Sequence, residues 1–361
     1  LGNFSGRNDQ KLQAIAIGNY AANIGQNQNS IAIGVESARN YQGTSSIAIG
    51  TYAGQNQQDN FTIALGENSG RNRQGEKSIA IGFNSGFDNQ LSSCISIGDR
   101  AGSNNQSSYS IAIGNETGKI SQQIKSIALG YYSASNNQSS NSIAIGSQAA
   151  ENNQLSNSIA IGSYAGQNQQ NNDSIAIGNL SAQKNQSNAS VALGHFSANE
   201  TQNSNSVAIG SYSARYYQTT QSIAIGYNAG LTNQGRGVDN NYLYPGYSVA
   251  VGAEAGMTKQ GNYSTSLGHR SGYQNQGRLS VAVGHNAGKE EQGEECVAIG
   301  VYSGLNSQGK NSIAIGKGSA TNNQSVLSVA IGLDSAKTNQ GSRCIANDDL
   351  YGQIILSGDD A

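Results

Sequence analysis

A glycine recurs every sixteen residues along almost the whole chain, and this period constrains the fold more than any other feature. The spacing is unbroken from Gly2 to Gly226, and after one longer interval it resumes from Gly252 to Gly332, which gives 21 repeats in 361 residues. A degenerate partial repeat occupies residues 344–347. Helical repeats need about 33 residues or more, so this period is too short for them. It predicts a stacked solenoid with one coil per repeat.

Each position of the repeat has a uniform chemistry. A run of Ser, aliphatic, Ala, aliphatic precedes the Gly, as in residues 142–146. Ala, Ser or Thr stands three residues after the Gly, Gly or Ala four after, and Gln eight after. Charged residues make up 12% of the chain, yet none occupies any of these eight positions. We infer that half of every repeat is interior or lies at an interface.

The run before the Gly alternates with period two, and its β-branched residues favour a short β-strand. The aliphatic side chains then point to one side, where we expect them to be buried, and Ser and Ala point to the other. The fold class predicted is all-β, a parallel β-roll or β-solenoid of about 21 sixteen-residue coils. Residues 1–343 form one continuous repeat domain with an inserted loop at about 236–246, and residues 344–361 form a degenerate terminal coil and tail.

The Gln column is predicted to turn inward as a structural ladder, because stacked amides can bond to one another and satisfy groups that would be costly to bury. Its members up to the insertion are Gln26, Gln42, Gln58, Gln74, Gln90, Gln106, Gln122, Gln138, Gln154, Gln170, Gln186, Gln202, Gln218 and Gln234.

A coil that buries only two aliphatic side chains has a small core. We therefore expect the chain to self-associate in parallel, as a trimer, with the uncharged Ser/Ala face allowing close approach of the copies.

Runs such as residues 142–146 and 206–210, each followed by small residues, resemble the head repeats of trimeric autotransporter adhesins. Similar coils occur in fibre proteins of phages and large viruses. The resemblance covers about 345 residues. It implies a trimeric, left-handed parallel β-roll that binds host surfaces or extracellular matrix. Two features depart from the adhesin pattern, namely the longer coil and the all-Gln column.

The insertion is the one irregularity of the repeat and the candidate binding site. It contains the only Pro and several tyrosines, which offer a large amphipathic contact area at low entropy cost. The alternative is that the insertion is a surface loop that the fold tolerates and that has no binding role. The candidate binding residues are Arg236, Asp239, Tyr242, Tyr244 and Tyr247.

The histidines, cysteines and remaining tyrosines are explained by structural or surface positions. His195, His269 and His285 each follow a repeat Gly, and no Cys or carboxylate column joins them, so we expect surface histidines and no metal site. Cys94, Cys296 and Cys344 replace Ser in its column and are interpreted as fillers. Six tyrosines stand two residues after the Gly, where a carbohydrate-binding ridge is one interpretation and scattered surface aromatics the other. They are Tyr20, Tyr52, Tyr132, Tyr164, Tyr212 and Tyr302.

These patterns predict a structural and adhesive fibre or adhesin head, located outside the cell on a cell or virion surface. No enzyme activity and no cofactor are expected, because no catalytic constellation is present. The expected partners are copies of the chain and a host or surface glycan or protein. Nucleic acid is not expected at a net charge of −2, nor is membrane insertion without a long apolar run. An ice- or crystal-binding solenoid and a subunit of a polymeric extracellular or virion filament remain alternatives.

Overall fold

The computed structural model describes residues 1–235, 246–349 and 352–357, and it consists of short β-strands joined by tight turns. The chain divides into two compact units, Leu1–Ile177 and Gly178–Ala361. Eleven repeat glycines fall in the first unit and ten in the second. Each unit is a parallel β-solenoid whose coils contribute strands to two sheets.

The first sheet, here the aliphatic sheet, is built from the run that precedes each repeat Gly. In the first unit its strands are Ile15–Ile17, Ile31–Ile33, Ile47–Ile49, Ile63–Leu65, Ile79–Ile81, Ile95–Ile97, Ile111–Ile113, Ile127–Leu129, Ile143–Ile145, Ile159–Ile161 and Ile175–Ile177. In the second unit they are Val191–Leu193, Val207–Ile209, Ile223–Ile225, Val249–Val251, Thr265–Leu267, Val281–Val283, Val297–Ile299, Ile313–Ile315 and Val329–Ile331.

The second sheet, here the glutamine sheet, is built from strands that end on the Gln column. In the first unit they are Asn8–Gln10, Ile24–Gln26, Asn40–Gln42, Asn56–Gln58, Asn72–Gln74, Asp88–Gln90, Asn104–Gln106, Ile120–Gln122, Asn136–Gln138, Asn152–Gln154 and Asn168–Gln170. In the second unit they are Lys184–Gln186, Tyr216–Gln218, Thr232–Gln234, Glu290–Gln292, Asn306–Gln308, Asn322–Gln324 and Thr338–Gln340, with single bridges at Gln202, Thr258 and Gln274.

Equivalent residues of successive coils pair in parallel and in register. Ile127 pairs with Ile143 in the aliphatic sheet, sixteen residues further on, as the period predicts. The insertion does not shift this register, because Ile223 pairs with Val249 directly across it. Near the C-terminal end, Cys344–Asp349 pairs in parallel with Val329–Ile331 and antiparallel with Gly352–Ser357, so the degenerate coil becomes part of a hairpin.

The orientation predicted for the aliphatic strands is wrong. The two aliphatic side chains of each coil point outward, and Ala and Ser point into the coil. Ala144 is fully buried between its neighbours Ile143 and Ile145, both of which are partly exposed. Throughout the described residues, the buried apolar side chains are Ala and Cys.

The Gln side chain explains this inversion. The amide Nε2 of Gln138 donates to the carbonyl of Ile127 at 2.9 Å, so the side chain spans the interior from one sheet to the other. The Gln column therefore fills the narrow space between the sheets, which leaves room for a methyl group on the opposing strand but not for Ile. Alternation with period two places Ile on the outer surface once Ala is inside.

Candidate functional surfaces

The outward side chains of the aliphatic sheet form a continuous apolar surface on each unit, here the aliphatic face. Two columns of Ile, Val or Leu run along it, with Thr265 as an exception. Ile113 is 39% exposed and Ile331 44% exposed, whereas the Ala residues between the columns are buried. The exposed apolar area is on the order of 1,000 Å² in each unit, more than a monomer usually leaves open to water. Sequence reasoning missed this surface, although the Gln column was a signal that the interior was already filled.

The Gln column forms hydrogen-bonded amide ladders in the interior. Gln122 donates from Nε2 to the Oε1 of Gln138 at 3.1 Å, and Gln138 donates in the same way to Gln154. The Nε2 atoms of Gln122 and Gln138 also donate to the carbonyls of Ile111 and Ile127 in the aliphatic sheet. The Oε1 atoms of Gln90 and Gln324 accept no hydrogen bond within the described residues, so the ladder is interrupted there. The interior is thus held together by polar contacts of backbone and side chain.

The three cysteines stand where other coils have a buried Ser. The hydroxyl of Ser46 donates to the carbonyl of Asp59 at 2.8 Å, thirteen residues further on. The thiols of Cys94 and Cys296 donate to the carbonyls at the same offset, each at 2.9 Å. Burial raises the pKa of both thiols, to about 11 for Cys296, which keeps that thiol protonated at neutral pH.

The candidate residues of the insertion are mostly outside the described part of the chain. Arg236, Asp239, Tyr242 and Tyr244 lie within the undescribed range 236–245, so the structure brings no site together from them. Tyr247 is described, 42% exposed, and its ring stacks on that of Tyr263 at 5.2 Å between centroids. The binding site predicted for the loop stays a prediction.

The tyrosine column lies at the turn that follows each repeat Gly, where several rings contact a neighbouring ring or cation. Tyr20 stacks on Phe4 at 4.9 Å, and the guanidinium of Arg71 lies 4.9 Å from the centroid of Tyr52. Tyr302 contacts the ring of His285 edge-on at 5.4 Å. The column is therefore divided into short aromatic groups at separate coils.

Charged residues at the same turn form ion pairs along and between coils. Glu116 accepts a hydrogen bond from Lys119 of its own coil and one from Arg100 of the preceding coil, each at 2.9 Å. The Lys119 hydrogen bond, followed by that of Arg100, lowers the pKa of the Glu116 carboxyl against the opposing effect of its partial burial.

We predict that Glu116→Gln lowers the free energy of unfolding at pH 7 by about 1 kcal/mol or less, because the side chains of Arg100 and Lys119 are 45% and 30% exposed and water screens both pairs. A lowered folded-state pKa stabilises the fold above the unfolded pKa of about 4.3, and this stabilisation is lost as the pH falls through the folded value. Thermal unfolding followed by circular dichroism at pH 7 and pH 3 measures both effects. Glu67→Gln, at an exposed carboxylate, is the control. A deficit for Glu116→Gln that persists undiminished at pH 3 would contradict the ion-pair assignment.

Two of the three histidines stack. The rings of His269 and His285 lie one coil apart, with centroids 5.1 Å apart and planes at 16°. His195 contacts Phe196 edge-on at 4.4 Å. Within residues 1–235 and 246–349, no group of three His, Cys, Asp or Glu side chains has a geometry that could hold a metal ion.

No protein-family profile, curated protein or solved structure matches the chain. The likeness to adhesin heads therefore rests on the residues of the repeat. In the described residues there is no helix with the length and apolarity to cross a bilayer.

Proposed function

We propose that the chain is a structural and adhesive module of an extracellular fibre, assembled in parallel as a trimer through the aliphatic face. The observation that supports this proposal is the pair of outward aliphatic columns, which leave an apolar surface exposed along each unit. Water disfavours such a surface, and burial against a partner removes the cost.

A second copy of the same chain is the partner that fits this surface. Its columns repeat once per coil, at the roughly 4.8 Å spacing of parallel strands, so two parallel copies present matching ridges and grooves along the whole face. No charged residue interrupts either column. An area of this order is comparable to the roughly 800 Å² that each partner of a stable complex usually contributes.

The surface predicted for this contact requires a correction. The Ser/Ala face, expected to pack between copies, is buried inside each coil; Ser142 and Ala144 are both fully buried. The same burial removes the surface on which the ice-binding alternative depended. The proposed trimer therefore uses the Ile columns, whose three copies can close around one axis.

The proposed location is extracellular, on a cell or virion surface, and the proposed role is attachment and spacing. The adhesin resemblance supports this role, as does the interior, which in the described coils is filled by hydrogen-bonded backbone, Ala, Ser and Gln and contains no large buried aliphatic side chain. Such a network suits a module built from identical coils, because each coil needs only its neighbours.

Three substitutions of Ile by Lys on the aliphatic face test the proposed trimer. We predict that the chain with Ile95→Lys, Ile127→Lys and Ile143→Lys falls from three copies to the 37.4 kDa of one chain in light scattering coupled to gel filtration. The outward positions leave the coil interior unchanged, so its β-sheet circular dichroism should persist. The control carries Asn105→Lys, Asn137→Lys and Asn153→Lys on the exposed side of the glutamine sheet in the same coils. A monomeric parent chain, or a lysine variant that stays trimeric, would overturn the proposal.

A further inference from the structure

A compact group of aromatic rings surrounds one guanidinium at the turns that follow Gly194, Gly210 and Gly226. These turns belong to the second, third and fourth repeats of the second unit. We refer to these side chains as the aromatic–guanidinium cluster, whose members are His195, Phe196, Tyr212, Arg215, Tyr216 and Tyr227.

The cluster has a defined geometry. The rings of Phe196 and Tyr212 stack with centroids 5.4 Å apart and planes at 6°. The Cζ atom of Arg215 lies 4.7 Å from the centroid of Phe196, 5.2 Å from Tyr212 and 4.7 Å from Tyr216. Three rings thus hold the cation by cation–π contact, which fixes its position without neutralising its charge.

At the equivalent position of three other coils, a cation pairs with an acidic side chain three residues before it. Arg39 pairs with Glu36 at 2.9 Å and Lys119 with Glu116 at 2.9 Å. Lys337 pairs with Asp334 at 3.4 Å. A carboxylate at this position is therefore one way in which the fold neutralises a cation at this turn.

Arg215 has no such carboxylate, because the residue three positions before it is Tyr212. Its Nε is buried and has no hydrogen-bond partner within the described residues. The nearby carboxylate of Glu200 faces Lys184 at 3.9 Å, and that of Glu254 faces Arg270 at 2.5 Å. Arg215 forms no ion pair with any carboxylate in the described part of the chain, so its charge is available to an external anion.

An exposed ring completes the surface. Tyr227 is 53% exposed and stands perpendicular to Tyr212, with centroids 6.3 Å apart. An open aromatic ring in the same cluster as a fixed guanidinium matches a sugar that carries an acidic group. The C–H face of the sugar stacks on the electron-rich ring, and the guanidinium donates a pair of hydrogen bonds to the acid.

We propose that the aromatic–guanidinium cluster binds an acidic saccharide, through Arg215 to its carboxylate or sulfate and through Tyr227 to its ring. The choice of a glycan rests on the attachment function proposed above, whereas the site rests on the unpaired cation and the exposed ring. One guanidinium at this cluster, in a chain of net charge −2, suits one acidic group and not a polyanion.

A peptide ligand fits this surface less well. Peptides commonly bind a sheet by adding a strand to a free edge. At the cluster, Val207–Ile209 already pairs with the strands on both sides, Val191–Leu193 and Ile223–Ile225. The backbone therefore has no vacant edge there, and recognition must come from side chains alone.

The test uses three sugars that share one neutral core: 3′-sialyllactose, 3′-sulfolactose and lactose. We predict that saturation-transfer NMR titrations of the full chain give dissociation constants at least about 10-fold lower for one or both acidic sugars than for lactose. The two acidic sugars distinguish a carboxylate from a sulfate ligand. Arg215→Met keeps the apolar stem and is predicted to abolish the preference, and Tyr227→Ala is predicted to weaken binding of the acidic sugars with the charge retained.

Arg71→Met is the matched control, because Arg71 occupies the same position of its coil over the rings of Tyr52 and Phe87 but donates hydrogen bonds to Gln55 and Asn68. It should keep the preference. Equal binding of all three sugars, no binding of any, or an acid preference that survives Arg215→Met would overturn the site. Light scattering on the same samples separates this result from the trimer proposal. A trimer that shows no preference for the acidic sugars contradicts only the saccharide site. A monomer that shows this preference contradicts only the trimer.

Discussion

Replacing Gln58 by Glu is expected to destabilise the chain by about 3–5 kcal/mol at pH 7, although the two side chains have nearly the same size. The amide of Gln58 donates to the carbonyl of Ile47 at 2.9 Å and to the Oε1 of Gln74 at 3.1 Å. Its own Oε1 accepts from Gln42 at 3.1 Å. A carboxylate cannot donate, so it would face two acceptors as a buried charge.

The pH dependence gives this prediction a second test. Burial among acceptors raises the folded-state pKa of the introduced carboxyl above its unfolded value of about 4.3. The deficit should therefore be smallest below pH 4.3, grow as the pH rises to the folded-state pKa, and stay constant above it. A residual deficit should remain in acid, because a protonated carboxyl donates one hydrogen bond where the amide donates two.

The control is the adjacent residue. Gln57→Glu makes the same chemical change on the exposed side of the same strand, and its effect should stay within about 0.5 kcal/mol. Urea unfolding followed by far-UV circular dichroism measures both variants. Hydrogen exchange at Ile47–Ile49 should locate the lost protection in the coil that contacts Gln58. Equal stabilities for the two variants would show that the Gln ladder does not hold the coil together.

The sequence was sufficient to predict the period, the parallel register and the existence of an outward and an inward side to each strand. It did not reveal which side was which. The usual expectation that Ile is buried fails at Ile143 and Ile145, because the space between the sheets is occupied by Gln154 and its neighbours in the ladder. The deciding quantity is the width of the coil interior, and a pattern of residue types does not encode a distance between sheets.

The conformation of the turns is a second feature that the sequence does not predict. Tyr52, Gln57 and Phe61 all have positive φ, at 59°, 58° and 60°. Residues other than Gly seldom adopt this backbone conformation. Nothing in these residue types marks the conformation, which is imposed by the stacking of each turn on the next. For the same reason the aromatic–guanidinium cluster could not be read from the tyrosine column alone. Its distinguishing feature, a buried guanidinium nitrogen without a hydrogen-bond partner in the described residues, depends on contacts between coils.

Replacing Gly50 by Ala is expected to cost more than about 3 kcal/mol, the second of the two largest effects. Gly50 has a φ of 134°, and a Cβ atom built there would lie 2.5 Å from the carbonyl oxygen of Gly66 and 2.7 Å from its carbon. The obstacle is the backbone of the next coil, which is fixed by hydrogen bonds such as that from the amide of Gly66 to the carbonyl of Ile49 at 2.9 Å. Conformational strain and the clash therefore act together.

Gly54→Ala, in the same coil, is the matched control. Gly54 also has positive φ, at 54°, but its nearest neighbours are side-chain atoms of Gln58 at 3.0 and 3.1 Å. Nine repeats already carry Ala at this position, among them Ala38 at a φ of 45°. The substitution should therefore change the free energy of unfolding by no more than about 1 kcal/mol. Urea unfolding of the two variants compares them directly. If Gly50→Ala were as mild as Gly54→Ala, close contact between successive coils could not be the reason that every repeat carries its glycine.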